Sequence, residues 1–74
     1  MARRDLDLTV LRRGTRVEDF TAKADPRDLH QLRQLLVEAM RRSGWPAARI
    51  AEFTMEVRDA GKRRLVTTFA ASDR

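Results

Sequence analysis

AEFTMEVRDAGKRRLVTTFAA, residues 51–71, alternates apolar and polar side chains, breaks near Asp59-Ala60-Gly61-Lys62, and then alternates again. Ala51, Phe53, Met55 and Val57 fall on one parity, and Glu52, Thr54, Glu56 and Arg58 on the other. A period of two is the mark of a strand with one buried face. Beyond the break, Leu65, Thr67, Phe69 and Ala71 alternate with Val66, Thr68 and Ala70. The two odd-numbered sets share a face only if cross-strand partners sum to an even number, which requires an odd loop. A three-residue loop of Asp59-Ala60-Gly61, with Gly61 left-handed, meets that condition. It sets Met55 opposite Leu65 and Glu56 opposite Arg64. A two-residue turn would flip one strand and bury its charges.

Upstream of this hairpin the pattern changes to a helical one. Asp25 suits an N-cap, Pro26 the first helical position, and Asp28 the positive end of the helix dipole. Leu29, Leu32, Leu35, Leu36, Ala39 and Met40 then fall on one arc at about 100° per residue. Arg41 and Arg42 occupy the last turn, Gly44 supplies a left-handed cap with Trp45 set to meet Met40, and Pro46 prevents continuation. These signals predict a helix over residues 26–43, followed by a short connection and a strand resuming at Arg49.

The N-terminal third is less sharply patterned. Leu6, Leu8 and Val10 alternate with Asp7 and Thr9, which predicts a short strand that could also be a loose arm. A turn at Arg12 to Thr15 follows. Phe20, Ala22 and Ala24 alternate in a second strand, and Val17 joins their face only through a bulge near Glu18-Asp19. The expected architecture is α+β: a small antiparallel sheet of three or four strands crossed by one helix, in the order β-(β)-α-β-β. Its expected core is Phe20, Leu29, Leu32, Leu36, Met40, Trp45, Phe53, Met55, Val57, Leu65 and Phe69. The chain of 74 residues reads as one domain, with residues 1–4 and 72–74 flexible.

Composition narrows the chemistry. There is no cysteine and no tyrosine, and there is a single histidine. Disulfides and cysteine-based zinc sites are therefore excluded, and no metal or cofactor is expected. No apolar run reaches the length of about 20 residues that a membrane-spanning helix needs, and the N-terminus lacks a signal-peptide core, so the expected setting is cytoplasmic. His30 sits at the margin of the helical arc without a marked nucleophile or carboxylate beside it. Glu52 and Glu56, about 13 Å apart along a strand, are too distant for paired-carboxylate hydrolysis. The chain does not read as an enzyme.

Two surfaces remain as candidates. Net charge is +5 and the pI about 11.2. Arg12, Arg13 and Arg16 flank the first turn, while Arg58, Lys62, Arg63 and Arg64 flank the second. If both tips point the same way, the seven cations form one edge able to hold nucleic-acid phosphates. Arginine over lysine, 14 to 2, together with abundant alanine, is also what a GC-rich genome writes regardless of function. The other candidate is a partly apolar outer face carrying Ile50, Thr54, Val66 and Thr68, with Val37 off the helical arc. A thin core and exposed strand edges add to it. The expected function is non-catalytic protein–protein contact, as a homodimer and with an unidentified protein, in an accessory protein of a high-GC bacterium or its phage. Nucleic-acid binding through the basic tips is the alternative.

Overall fold

A computed structural model describes residues 3–70. Four strands form one antiparallel sheet: β1 (Arg4–Arg12), β2 (Thr15–Ala24), β3 (Phe53–Asp59) and β4 (Arg64–Ala70). Their spatial order is β2-β1-β3-β4. One helix, α1 (Leu29–Arg42), lies across a single face, and a 3-10 helix (Ala47–Glu52) leads into β3. This is the expected α+β architecture, with four strands rather than three. Of the termini expected to be flexible, Met1, Ala2 and Ser72 to Arg74 lie outside the described residues, whereas Arg4 opens β1.

The first strand is no loose arm. Returning over the sheet, α1 carries the chain past β1 and sets β3 on β1's far side, so β1 becomes a central strand with partners on both flanks. Leu6, Leu8 and Val10 are completely or almost completely buried, as are Phe53, Met55 and Val57 of β3. Leu32, Leu36, Ala39 and Met40 close the core from the helix side. Phe20, Trp45 and Phe69 pack around it half-buried. Leu29 and Leu65, both expected in the core, are 64% and 49% exposed.

The helix starts later than the sequence suggests. Asp25-Pro26-Arg27-Asp28 closes a turn of its own, with the Asp28 N–H donating to the Asp25 carbonyl at 3.0 Å and the Arg27 N–H to Asp25 Oδ1 at 2.9 Å. Proline is as well suited to the second position of such a turn as to the first turn of a helix. The true N-cap is Asp28, whose side chain accepts from the His30 and Gln31 amides. That shift leaves Leu29 at the first helical position, pointing to water. The far end follows expectation: Gly44 has φ +87°, and the Trp45 N–H donates to the Met40 carbonyl at 2.8 Å. Trp45 then meets Phe53 edge to face at 5.6 Å between centroids.

Two bulges set the registers. In β2, Val10 pairs with Glu18 and Leu11 with Arg16, leaving Val17 as the inserted residue. Both Val17 and Phe20 thereby pack toward the core, by a bulge one residue earlier than Glu18. In the second hairpin the loop has four residues, Ala60 to Arg63, and the left-handed position is Arg63 (φ +54°) rather than Gly61. An even loop alone would put the odd-numbered residues on opposite faces. A bulge at Val66 restores the parity, so Met55 faces Phe69 rather than Leu65, and Glu56 faces Thr68 rather than Arg64. The same bulge places Leu65 opposite Arg58, on the outer face, which is why Leu65 is wet.

Candidate functional site: two hairpin tips and a free edge

The sheet topology separates the basic tips. In the antiparallel β1–β3 pair, Arg12 lies opposite Phe53 and Leu6 opposite Asp59. The β1–β2 turn therefore sits at the end where β3 begins, and the β3–β4 loop at the end where β1 begins. About 20 Å of strand lies between them. The seven cations do not form one edge.

At the first tip most of the charge is paired. Arg12 binds Glu52 at 2.7 Å and its guanidinium stacks 4.5 Å from the Trp45 ring. Arg16 binds Asp19 at 2.8 Å, Arg42 binds Glu18 at 3.0 Å, and Arg49 reaches Glu52 at 3.4 Å. Burial works to raise the Glu52 pKa, but the Arg12 hydrogen bond and the charges of Arg12, Arg49 and Arg13 outweigh it and hold the carboxyl below its ordinary value. Arg13, at the apex with φ +52°, is in no ion pair among the described residues.

The second tip is organised by a single acid. Asp59 Oδ1 accepts from the Gly61 and Lys62 amides at 3.0 and 3.3 Å, and Oδ2 accepts from Arg4 Nη1 at 3.1 Å. The Arg4 hydrogen bond, then the Lys62 and Gly61 amides, pull the Asp59 pKa down against the opposing effect of burial. Lys62, Arg63 and Arg64 are exposed and make no ion pair among the described residues. Arg58 belongs to the outer face instead, where it binds Glu56 at 3.0 Å.

The residues proposed for a protein interface scatter. Ile50 lies in the 3-10 helix, half-buried against the core, because the chain does not resume as a strand at Arg49: after Pro46, the alanines at 47 and 48 favour a helical turn. Val37 is half-buried on α1, across the sheet from the outer face. Thr54 and Thr68 do share that outer face, and Val66 is 42% exposed beside them. The face as a whole is more polar than expected. Its open groove of about 410 Å³ is lined by the polar Asp7, Thr9, Arg16, Asp19, Thr21 and Arg58 together with Leu8 and Phe20. Threonines and locally paired charges are what water wets readily, and the groove is open rather than enclosed.

The two sheet edges differ sharply. β2 carries Arg16, Glu18, Asp19 and Lys23 and a bulge, the devices that keep an edge from pairing with another chain. β4 carries no charge from Leu65 to Ala70. The direction of its unused backbone groups follows from the neighbouring ladder. The Arg13 N–H donates to the Glu52 carbonyl and the Ala60 N–H to the Asp5 carbonyl, so even-numbered β3 residues bond toward β1 and odd-numbered ones toward β4. Thr67 and Phe69, opposite Val57 and Met55, thus bond to β3, while the N–H and C=O groups of Thr68 and Ala70 point away from the sheet. This edge, and Asp59 as the organiser of the loop before it, were not singled out from sequence; the run of six uncharged residues, 65–70, is the signal that could have found the edge.

His30 is exposed at the start of α1. Among the described residues no group of His, Cys, Asp or Glu is disposed to hold a metal ion, and no helix is long and apolar enough to cross a membrane. Comparison with protein families, with curated proteins and with solved structures finds no match.

Proposed function

We propose that this chain is a non-catalytic protein-contact module that pairs with a second copy of itself through the β4 edge. The observation that carries this reading is the contrast between the edges: β2 is guarded by charge, and β4 from Leu65 to Ala70 is bare. An edge without charge offers nothing to a partner chosen by charge complementarity. It also offers no repulsion to its own copy. Antiparallel pairing about Thr68 sets Thr68 against Thr68, Val66 against Ala70 of the other copy, and Thr67 against Phe69 of the other copy. The outward-pointing groups of Thr68 meet those of the other copy in this register, and those of Ala70 face the bulge residue Val66. At least the two main-chain hydrogen bonds of the Thr68–Thr68 pair would form, and the half-buried Phe69 rings would gain cover on the helix side. The two sheets would join into one of eight strands with both helices on the same face.

Light scattering and sedimentation at tens of micromolar test this. The expected mass is twice 8.6 kDa, about 17 kDa. Thr68→Lys would set two ammonium groups against each other at the two-fold axis, and Thr68→Pro would remove an N–H that β3 does not use. Both variants should be folded monomers. A wild-type chain that stays at 8.6 kDa over this range, or a Thr68→Lys variant that still dimerises, removes the reading.

A further inference from the structure

We propose that the β3–β4 loop, through Lys62, Arg63 and Arg64, is a contact site for the phosphate backbone of double-stranded nucleic acid. Stability alone does not account for Arg63. Its φ of +54° lies in the left-handed region, where glycine or asparagine is favoured, yet a long cationic side chain occupies the position between two further cations. The loop is ordered without them. Asp59 accepts the Gly61 and Lys62 amides on one carboxylate oxygen and Arg4 on the other, and its main-chain carbonyl accepts the Arg63 N–H at 2.6 Å. Asp59, the acid that organises the tip, is therefore fully engaged, and the three exposed cations pair with nothing among the described residues. At the opposite tip Arg12 and Arg16 are held by Glu52 and Asp19 and Arg13 alone stands unpaired among the described residues, so the second tip, with three such cations, is the more open to an anion.

Chemistry narrows the ligand. With the loop amides already bonded to Asp59, anions would be met by side chains, and guanidinium groups match phosphate oxygens in a two-pronged fashion. Phe20, Trp45, Phe53 and Phe69 all belong to the core or its rim, so no ring at the tip can stack on an unpaired base. A duplex, with phosphates outward and bases enclosed, suits such a tip better than a single strand. The contact would carry little sequence preference.

Fluorescence anisotropy with a labelled duplex of about 20 base pairs, titrated from roughly 50 to 200 mM salt, tests the site. The wild-type chain should bind with steep salt dependence. The triple variant Lys62→Gln/Arg63→Asn/Arg64→Gln should bind at least about tenfold more weakly at the low-salt end, with the log–log salt slope flatter by about 2–3. Its melting temperature should hold or rise, since asparagine accepts the left-handed conformation. Arg33→Gln, one charge removed from the exposed side of α1, should cost far less. No duplex binding at the low-salt end, a triple variant indistinguishable from wild type, an equal loss from Arg33→Gln, or tighter binding of a single strand would each overturn the proposal. Light scattering on the same samples keeps the outcome separate from pairing at β4.

Discussion

Leu8→Ala is the most direct test of where the core lies. Leu8 is 1% exposed at the middle of the central strand, with Phe20 opposite on β2 and Val57 opposite on β3. Truncating a buried leucine costs the transfer energy of the lost methyls plus a cavity term, about 2–5 kcal/mol in total. A site flanked by two ladders and roofed by a helix has little freedom to collapse, so about 3 kcal/mol is the expected loss. A domain of this size has roughly 4–11 kcal/mol of stability at 0.05–0.15 kcal/mol per residue, so the variant forfeits a large share of it. At about 4–8 °C per kcal/mol, the melting temperature should fall by roughly 12–24 °C in circular dichroism at fixed protein concentration. Leu29→Ala is the matched control, because Leu29 is 64% exposed, and it should change stability by no more than about 0.5 kcal/mol. A Leu8→Ala shift below about 5 °C, or a Leu29→Ala loss as large as that of Leu8→Ala, would refute the placement of β1 at the sheet centre.

Asp28→Ala should destabilise the fold by about 1 kcal/mol through loss of the N-cap, and by more than Asp25→Ala, as read by urea unfolding; the reverse order would restore Asp25 as the cap. Glu52 ionises more readily folded than unfolded, so its pairing with Arg12 is fully stabilising above the ordinary value of 4.5 and is lost as pH falls through the lowered folded value. Glu52→Gln should therefore flatten the acid limb of stability against pH, and an unchanged limb would show that the Arg12 pairing contributes nothing. Gly44→Ala should cost about 1 kcal/mol from its φ of +87° alone, since no atom lies within 4 Å of where a Cβ would stand; a neutral result in thermal unfolding would mean that the cap relaxes.

Much of this fold could be read locally. The Leu32–Leu36–Met40 stripe, the Gly44 cap and the inward parity of Phe53, Met55 and Phe69 each follow from a repeat period or a single backbone requirement. What stayed hidden depends on non-local choices. Leu6, Leu8 and Val10 looked peripheral because a short strand flanked by charge looks the same at a sheet's edge and at its centre. Only the path of α1 decides between them. From sequence the hairpin loop is one residue shorter than the structure makes it, because a bulge at Val66 does the same parity work as an odd loop, and valine does not announce a bulge. Pro26 served two local motifs equally well, and the Asp25 turn took it. The basic tips were legible as clusters, but not their separation, since which end of the sheet a hairpin faces follows from strand order.

Pairing at β4 and phosphate contact at the preceding loop are compatible because they use different residues of one hairpin. In the register centred on Thr68, each Arg64 lies four residues from the two-fold axis, so the two loops stand about 27 Å apart at 3.4 Å per residue. The axis runs perpendicular to the joined sheet, and both loops extend beyond the paired segment 66–70. Two weak phosphate sites held at a fixed spacing act as one stronger site, because the second contact forms at an effective concentration set by the first. Thr68→Pro separates the terms without altering charge. As a monomer it should keep the loop and its ion-pair pattern, but bind a duplex long enough to reach both loops at least about tenfold more weakly than the dimer. On a duplex too short to reach both, the two proteins should bind alike per chain. If monomeric Thr68→Pro matched the wild type on the long duplex, each loop would act alone, and the pairing of β4 would serve protein contact without strengthening the grip on nucleic acid.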